Sequence, residues 1–575
     1  MPTDRHPSTR AEPPADPVVG QRTDAIRTGS GGEIGPRPHN EQYGHCCARH
    51  CRDGPTGAAL ESGSRPPLSP TTRAEVTDVA TITDQIQPMT SPLDRRRFTG
   101  LLVATTLAAY VLIALGTAIS TTGSGANCTT WPSCSSEWAL GPVTSDGLLF
   151  WGHRAAALVA GVLVAAVAVA AWRLDVDRRV TAAVWLAVVL YPVQVALGAV
   201  IVVGGPSIAG VVHLALAMVI FAGLLFALVV TLERQSLEAG TTEDEVLEVG
   251  GDEPSADAPA PSVAADGAGD ETPDPPGQAT GRLSRLRLVA GAYLTLTKPK
   301  LMWLLCLVAL AGMGLATLTG EALEPGVAVA TLAGGVLAIG ASGTFNHVYE
   351  RDRDRKMNRT NDRPLVHDLV PVRNAVAFGA VLTVGSVAIV VTWVNLLAAA
   401  LTLAAIGYYV VLYTVLLKPN TAWNTVLGGG AGALPALIGW VAVTGSVGLP
   451  ALVLAAVIFL WTPAHFYSLA IAYREDYARG GFPMFPITHG VLAARRHVML
   501  YLGATLLAAS LLGWLAGLGW LYAVTSVALG AVFLGSVVRQ YRTESDDAAL
   551  RSFYVSNYYL GAILVAIVLE TLVIA

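Results

Sequence analysis

The sequence predicts an all-α polytopic membrane protein, a four-helix transmembrane bundle followed by a nine-helix bundle. Three observations carry that reading. Hydrophobic residues make up 53% of the 575 residues and charged residues only 14%, too apolar a balance for a soluble chain of this length. Thirteen apolar runs are each long enough to cross a hydrocarbon core of about 30 Å. A stretch rich in Asp, Glu, Pro, Ala and Gly separates the first four runs from the last nine, the composition of a flexible, self-repelling linker.

Residues 1–90 are rich in Pro, Gly, Ser, Thr and Arg and lack apolar periodicity, so they read as a disordered extension. Their cluster His45-Cys46-Cys47-Ala-Arg-His50-Cys51 has no second paired group to complete a tetrahedral metal site. Met89, followed by Thr-Ser-Pro-Leu-Asp-Arg-Arg-Arg and an apolar run, reads as a natural membrane-protein start. The first module, 91–235, has spans near 98–120, 147–172, 179–203 and 207–231. The linker runs over 236–283. The second module, 284–575, has spans near 301–319, 325–349, 374–394, 396–417, 424–445, 450–473, 497–517, 519–537 and 554–575.

Basic residues set the expected orientation in a cell membrane. Arg95-Arg96-Arg97, Arg173 to Arg179 and the Lys- and Arg-bearing loops at 350–373, 418–423, 474–496 and 538–553 fall on one side, which the positive-inside rule makes the cytoplasm. The N-terminus then lies inside, and residues 121–146 and the C-terminus outside. Cys128 and Cys134 share that outer loop, near enough for a disulfide in an oxidising exterior, with a free pair as the alternative. The net charge of −5 averages an acidic linker with basic helix flanks and points to no nucleic-acid partner.

Chemistry concentrates where the second apolar run of the nine-helix module ends. If that helix continues through Asn346-His-Val-Tyr-Glu350-Arg-Asp352-Arg-Asp354, then Asn346, Glu350 and Asp354 fall at i, i+4 and i+8 and form one stripe. Asp352 lies about 200° from Glu350 on the same wheel and faces away. An amide and two carboxylates amid Arg and Lys suit a hard divalent cation such as Mg²⁺ held with a diphosphate. The positive-inside rule alone explains the bases but not the acids. A second acidic loop, Tyr473-Arg474-Glu475-Asp476-Tyr477, follows a later span at the same face and invites pairing with the first, although an ordinary helix cap explains that loop equally well.

The nine-helix module resembles the haem O synthases, the protohaem IX farnesyltransferase family of UbiA-type intramembrane prenyltransferases. The resemblance covers roughly 285–575. It is carried by Leu296-Thr297-Lys298-Pro299-Lys300, by Asn346 through Thr360 with Asn361-Asp-Arg363-Pro364, by Lys418-Pro-Asn-Thr-Ala-Trp423-Asn424, and by Trp461-Thr-Pro463-Ala-His465-Phe466-Tyr467 through Asp476 to Pro486. It implies nine helices around a central cavity, with Mg²⁺ held by Asn346, Glu350, Asp354 and Asp476. It also implies farnesyl diphosphate and haem B as substrates in a lipid membrane, and water as the source of a hydroxyl on the product. Lys298, Arg359, Arg363, Lys418 and Arg474 are the candidate diphosphate contacts, and His465 a candidate haem contact or a satisfied intramembrane histidine. Glu350 stands where the family has Asp, one methylene longer in reach. The same fold also serves prenyl transfer to quinone or lipid precursors, the main alternative; a transporter or haem-binding scaffold ranks below it, because the charges cluster at one face.

The first module resembles one four-helix half of a haem A synthase. Thr122-Gly-Ser-Gly, Cys128, Trp131-Pro132, Cys134, His153-Arg154, Gln194, Leu197-Gly198 and His213 carry that likeness. It implies haem held between His153 and His213, and a haem A synthase partner. Phe150 stands where an acid is usual, three residues before the first histidine.

Overall fold

The structure is a computed structural model describing residues 91–122, 130–131, 145–247 and 282–574. Met89, the His45 to Cys51 cluster, Cys128, Cys134 and most of the linker lie outside the described residues. The rest is helical, with no strand among the described residues.

The first four helices are Pro92–Thr122 (α1), Ser145–Arg173 (α2), Arg178–Val202 (α3) and Ile208–Leu247 (α4). A short helix Arg282–Leu296 (α5) leads into Pro299–Thr317 (α6), Pro325–Asp354 (α7), Val372–Trp393 (α8) and Leu396–Gly407 (α9). From α9 the chain continues as a π-helix, Tyr408–Leu417. Then come Asn424–Thr444 (α10), Leu449–Ala472 (α11), the short Arg474–Arg479 (α12) and Phe485–Thr488 (α13), and finally Val491–Ala516 (α14), Trp520–Thr543 (α15) and Asp546–Leu569 (α16). Thirteen helical segments among the described residues are long and apolar enough to cross a membrane.

Two boundaries differ from the sequence reading. Helix α4 runs on to Leu247, into the expected linker: Leu232-Glu-Arg-Gln-Ser-Leu-Glu238, largely good helix formers, carries it across the expected boundary at 235, and it persists through the less favourable Gly240, Thr241 and Thr242. Charges near its exit are paired across elements, Arg95 with Glu238 and Arg234 with Asp177. Helix α14 starts at Val491 rather than near 497, and its basic first turns dock on neighbours, with Arg495 ion-paired to Glu544 at 3.0 Å and Arg496 to Glu233 at 3.5 Å.

One apolar core joins the two groups of helices. Leu102, Tyr110, Phe221 and Leu228 from α1 and α4 share it with Leu502, Leu506, Phe533 and Val537 from α14 and α15. Tyr110 reaches Ser526 Oγ at 2.7 Å, a polar contact that an apolar interior makes specific. Inside the nine-helix group, α6 and α10 approach backbone to backbone. A Cβ on Gly439 would stand 2.0 Å from the Ala309 carbonyl oxygen, so only glycine permits that crossing.

Candidate active site

Helix α7 continues unbroken to Asp354, so Asn346, Glu350 and Asp354 share one face, all within 2% exposure. Carboxylates buried at that depth need cationic partners. Lys418 Nζ donates to Glu350 Oε1 at 2.6 Å, and Arg363 donates to Asp354 Oδ2 at 2.6 Å while lying 3.8 Å from Glu350 Oε2. Lys298 Nζ donates to Asn346 Oδ1 at 2.5 Å and to the Tyr409 hydroxyl at 3.2 Å. Asp352 is different: its side chain is 78% exposed and pairs with Arg351 and Arg355 at the surface.

Each basic group is aimed by local structure. Lys298 caps α6 in the left-handed region, φ 55°, an uncommon conformation for a residue with a side chain. Its turn lies directly on α7, where a Cβ on Gly343 would stand 2.9 Å from the Leu296 carbonyl oxygen and 3.2 Å from Lys298 Cγ. Burial pushes the Lys298 ammonium down to about 8, reinforced by Arg363 and opposed by Glu350 and Asp354. Burial also lowers Lys418, with Glu350 opposing the shift.

The π-helix sets the register of Lys418. In an α-helix, residues 409 and 414 would sit about 140° apart. The wider turn of the π-helix brings Tyr409, Thr414 and Lys418 to the same side. They meet Lys298, Asn346 and Glu350 in that order: the Lys298 ammonium donates to Tyr409, Asn346 Nδ2 donates to Thr414 Oγ1 at 3.1 Å, and Lys418 donates to Glu350.

Asp476 enters from α12 as the anchor of a loop. It accepts from the backbone amides of Asn358 at 3.1 Å and Arg359 at 2.9 Å and pairs with Arg479. A carboxylate offers about four lone pairs, so these contacts do not exhaust it. The anchored loop carries Arg359, which donates to the Tyr477 hydroxyl at 3.0 Å, and Arg363. Arg474, another expected diphosphate contact, is engaged elsewhere. It pairs with Asp546 and donates to the Ile471 carbonyl, because the first turn of α16 brings an acid to it. Sequence reading passed over Tyr409, Thr414 and the buried His347, whose Nδ1 has no partner; polar groups inside apolar runs were the available signal.

Among the described residues no group of three His, Cys, Asp or Glu side chains forms a ready metal cage. Mg²⁺ is commonly held by one or two carboxylates together with substrate phosphates, so the donor set of Asn346, Glu350 and Asp354 beside four bases fits the ion arriving with a diphosphate.

A second site lies between the first four helices, a cavity of about 510 Å³ lined by His153, Arg154, Gln194, His213 and, from α14, Trp514. It is built twice over from one pattern. Ala114-Leu115-Gly116 on α1 faces His153 of α2, and Ala196-Leu197-Gly198 on α3 faces His213 of α4; a Cβ on either glycine would stand 3.4 or 3.3 Å from the imidazole Cε1. Nδ1 of both histidines and Oε1 of Gln194 are buried without partners. His465, by contrast, is bonded to Ser556 and stacked between two aromatic rings.

Comparison with known proteins adds two family matches. The UbiA prenyltransferase family matches residues 305–560, and the cytochrome oxidase assembly protein family matches 77–225. A protoheme IX farnesyltransferase of Haloarcula marismortui is 52% identical over 483 residues, 83% of this chain and 99% of its own length. One from Haloquadratum walsbyi is 49% identical over 85% of this chain and 100% of its own. Both alignments are too long for the nine-helix part alone. A protoheme IX farnesyltransferase of Saccharopolyspora erythraea matches at 43% over 50% of this chain and 92% of its own.

The pairing geometry makes a stability prediction. Lys418→Met leaves Glu350 buried with its nearest base at 3.8 Å and should cost about 3–5 kcal/mol. Arg474→Ala breaks a pair whose side chains are 38% and 48% exposed and should cost at most about 1 kcal/mol. Thermal unfolding of the purified variants in detergent checks the order; equal losses would mean that the buried pair carries no special weight.

Proposed function

The chain belongs to the protoheme IX farnesyltransferase family of UbiA prenyltransferases, multi-pass membrane enzymes, and on that premise we propose that it transfers the farnesyl group of farnesyl diphosphate to a vinyl carbon of haem B, giving haem O. The observation that carries the site assignment is the stripe itself: two buried carboxylates one turn apart on α7, each beside its own base. Asn346, Glu350 and Asp354, with Asp476 across the loop, hold Mg²⁺, which when bound supplies positive charge to the diphosphate oxygens.

Lys298, Lys418, Arg359 and Arg363 supply the remaining counter-charge. They are fixed in place before substrate arrives, so they stabilise the negative charge that grows on the departing diphosphate with little reorganisation. Arg474, held by Asp546, has no part in this. The apolar helices below the cluster keep water from the allylic cation until the new carbon–carbon bond has formed. Phe150 replaces the usual acid in the four-helix part, so conversion beyond haem O falls to a separate haem A synthase partner, and this chain expressed alone yields haem O without haem A.

The four-helix cavity supports a second, non-catalytic site for haem. Two imidazoles on paired helices, each against a glycine and each with a buried unpartnered nitrogen, fit two axial ligands to one iron. By the positive-inside rule the basic loops support an orientation with this site toward the outer face, the acidic cluster toward the cytoplasm, the N-terminus inside and the C-terminus outside.

Glu350→Gln and Asp354→Asn should each lower haem O formation by about 10²–10³-fold at matched expression, the loss typical of one preorganised electrostatic contact, with Asp352→Asn close to wild type. Equal damage at Asp352 would refute the stripe assignment. The purified chain should show a six-coordinate low-spin haem spectrum that the His153→Ala, His213→Ala double variant loses; an unchanged spectrum would reduce both to packing residues. A cysteine at the exposed Ser446, in a background without other cysteines, should react with an impermeant reagent from outside intact cells, and labelling only after permeabilisation would invert the topology.

A further inference from the structure

His465 on α11 takes no part in the chemistry above, yet it is held on three sides. Trp461 stacks on one face, ring centroids 4.2 Å apart at 16°, and Phe553 of α16 on the other, 4.2 Å at 24°. Its Nδ1 lies 2.7 Å from Ser556 Oγ, and Ser556 is fully buried. Trp461 Nε1 donates to the Ser556 carbonyl at 2.9 Å, tying the clamp to the same residue. The residue is nevertheless not fully buried. With both faces and the Nδ1 edge covered, the accessible edge is the one bearing Nε2.

The hydrogen-bond network assigns the tautomer. Ser556 Oγ has one proton and donates it to the Phe553 carbonyl at 2.6 Å. Toward His465 the hydroxyl is therefore the acceptor, and Nδ1 carries the hydrogen. In the neutral imidazole Nε2 is then bare, a lone pair on the open edge. A base whose second nitrogen is oriented by a fixed partner is the usual construction of a proton acceptor. The ring sits seven residues, about 10 Å along the helix, from the end of α11 that leads into α12, and the next side chain, Phe466, meets the Tyr477 ring that Arg359 touches.

We propose that His465 Nε2 is the general base of the hydration step. The inference rests on the haem-vinyl reading above. When the terminal vinyl carbon bonds to farnesyl C1, the C1–oxygen bond breaks, diphosphate leaves with the electron pair, and the positive charge passes to the inner vinyl carbon. A water oxygen bonds to that carbon, and one of its protons goes to Nε2 and then to solvent. Without the base, the cation loses a proton from the adjacent carbon instead and ends as an alkene lighter by one water.

The test is the mass of the extracted haems together with diphosphate release, measured on the full-length protein at matched expression. In His465→Gln the hydroxylated product should fall about a hundredfold, the lighter alkene should rise, and diphosphate release should fall far less. Ser556→Ala removes the tautomer partner while Trp461 and Phe553 keep the ring in place, so it should shift the same ratio by a smaller factor. It also decides the matter if His465→Gln fails to fold. A wild-type product ratio in Ser556→Ala, or a proportional loss of diphosphate release and hydroxylated product in both variants, would overturn the proposal. A wild-type chain that makes no farnesylated haem would instead bring down the substrate reading, and this inference with it.

Discussion

The constraint on which the catalytic half depends is the burial of Glu350 and Asp354 at the end of an apolar helix. A carboxylate at 2% exposure is tolerable only with a close cation, and α7 itself supplies none on that face. The partners come from elsewhere in the chain: Lys298 from the turn before α6, Lys418 from the end of the π-helix, and Arg363 from the loop after α7. The left-handed cap at Lys298, with the glycine beneath it, and the widened turn at 408–417 are local irregularities that deliver Lys298 and Lys418 to that stripe.

The same need explains why Asp476 is tied to backbone amides. The loop it holds carries Arg359 and Arg363, and a free loop would have to be ordered each time substrate bound. Charges not engaged with the stripe are drained into pairs of their own, Arg474 with Asp546 and Asp352 with Arg351 and Arg355. A cluster of acids and bases neutralised among themselves is a resting arrangement that a metal and a polyanion can exchange into.

The four-helix half obeys a different rule. Its polar groups are few, and the two histidines sit where glycines let an imidazole lie against a neighbouring helix. The cavity they line also reaches Trp514 of α14, and α14 packs on α11 within one shared core. The two halves are therefore one packed body across the interface formed by α1, α4, α14 and α15, although the linker between them reads as flexible.

By itself the sequence determined the helices and the phase of the acidic stripe. Span length and apolarity are properties of contiguous residues, and the separation of Asn346, Glu350 and Asp354 from Asp352 follows from the 3.6-residue turn alone. It also marked Lys298, Arg363 and Lys418 as candidates by type and position, without indicating which acid each would meet. Only the tertiary structure decided the partners, because contacts across 48, 68 or 91 residues depend on how helices pack and not on local period. That is why the pairing of Arg474 with Asp546 and the roles of Tyr409 and Thr414 inside an apolar run are not legible in the sequence, and why the tautomer of His465, set by a serine on another helix, follows only from α11 and α16 together.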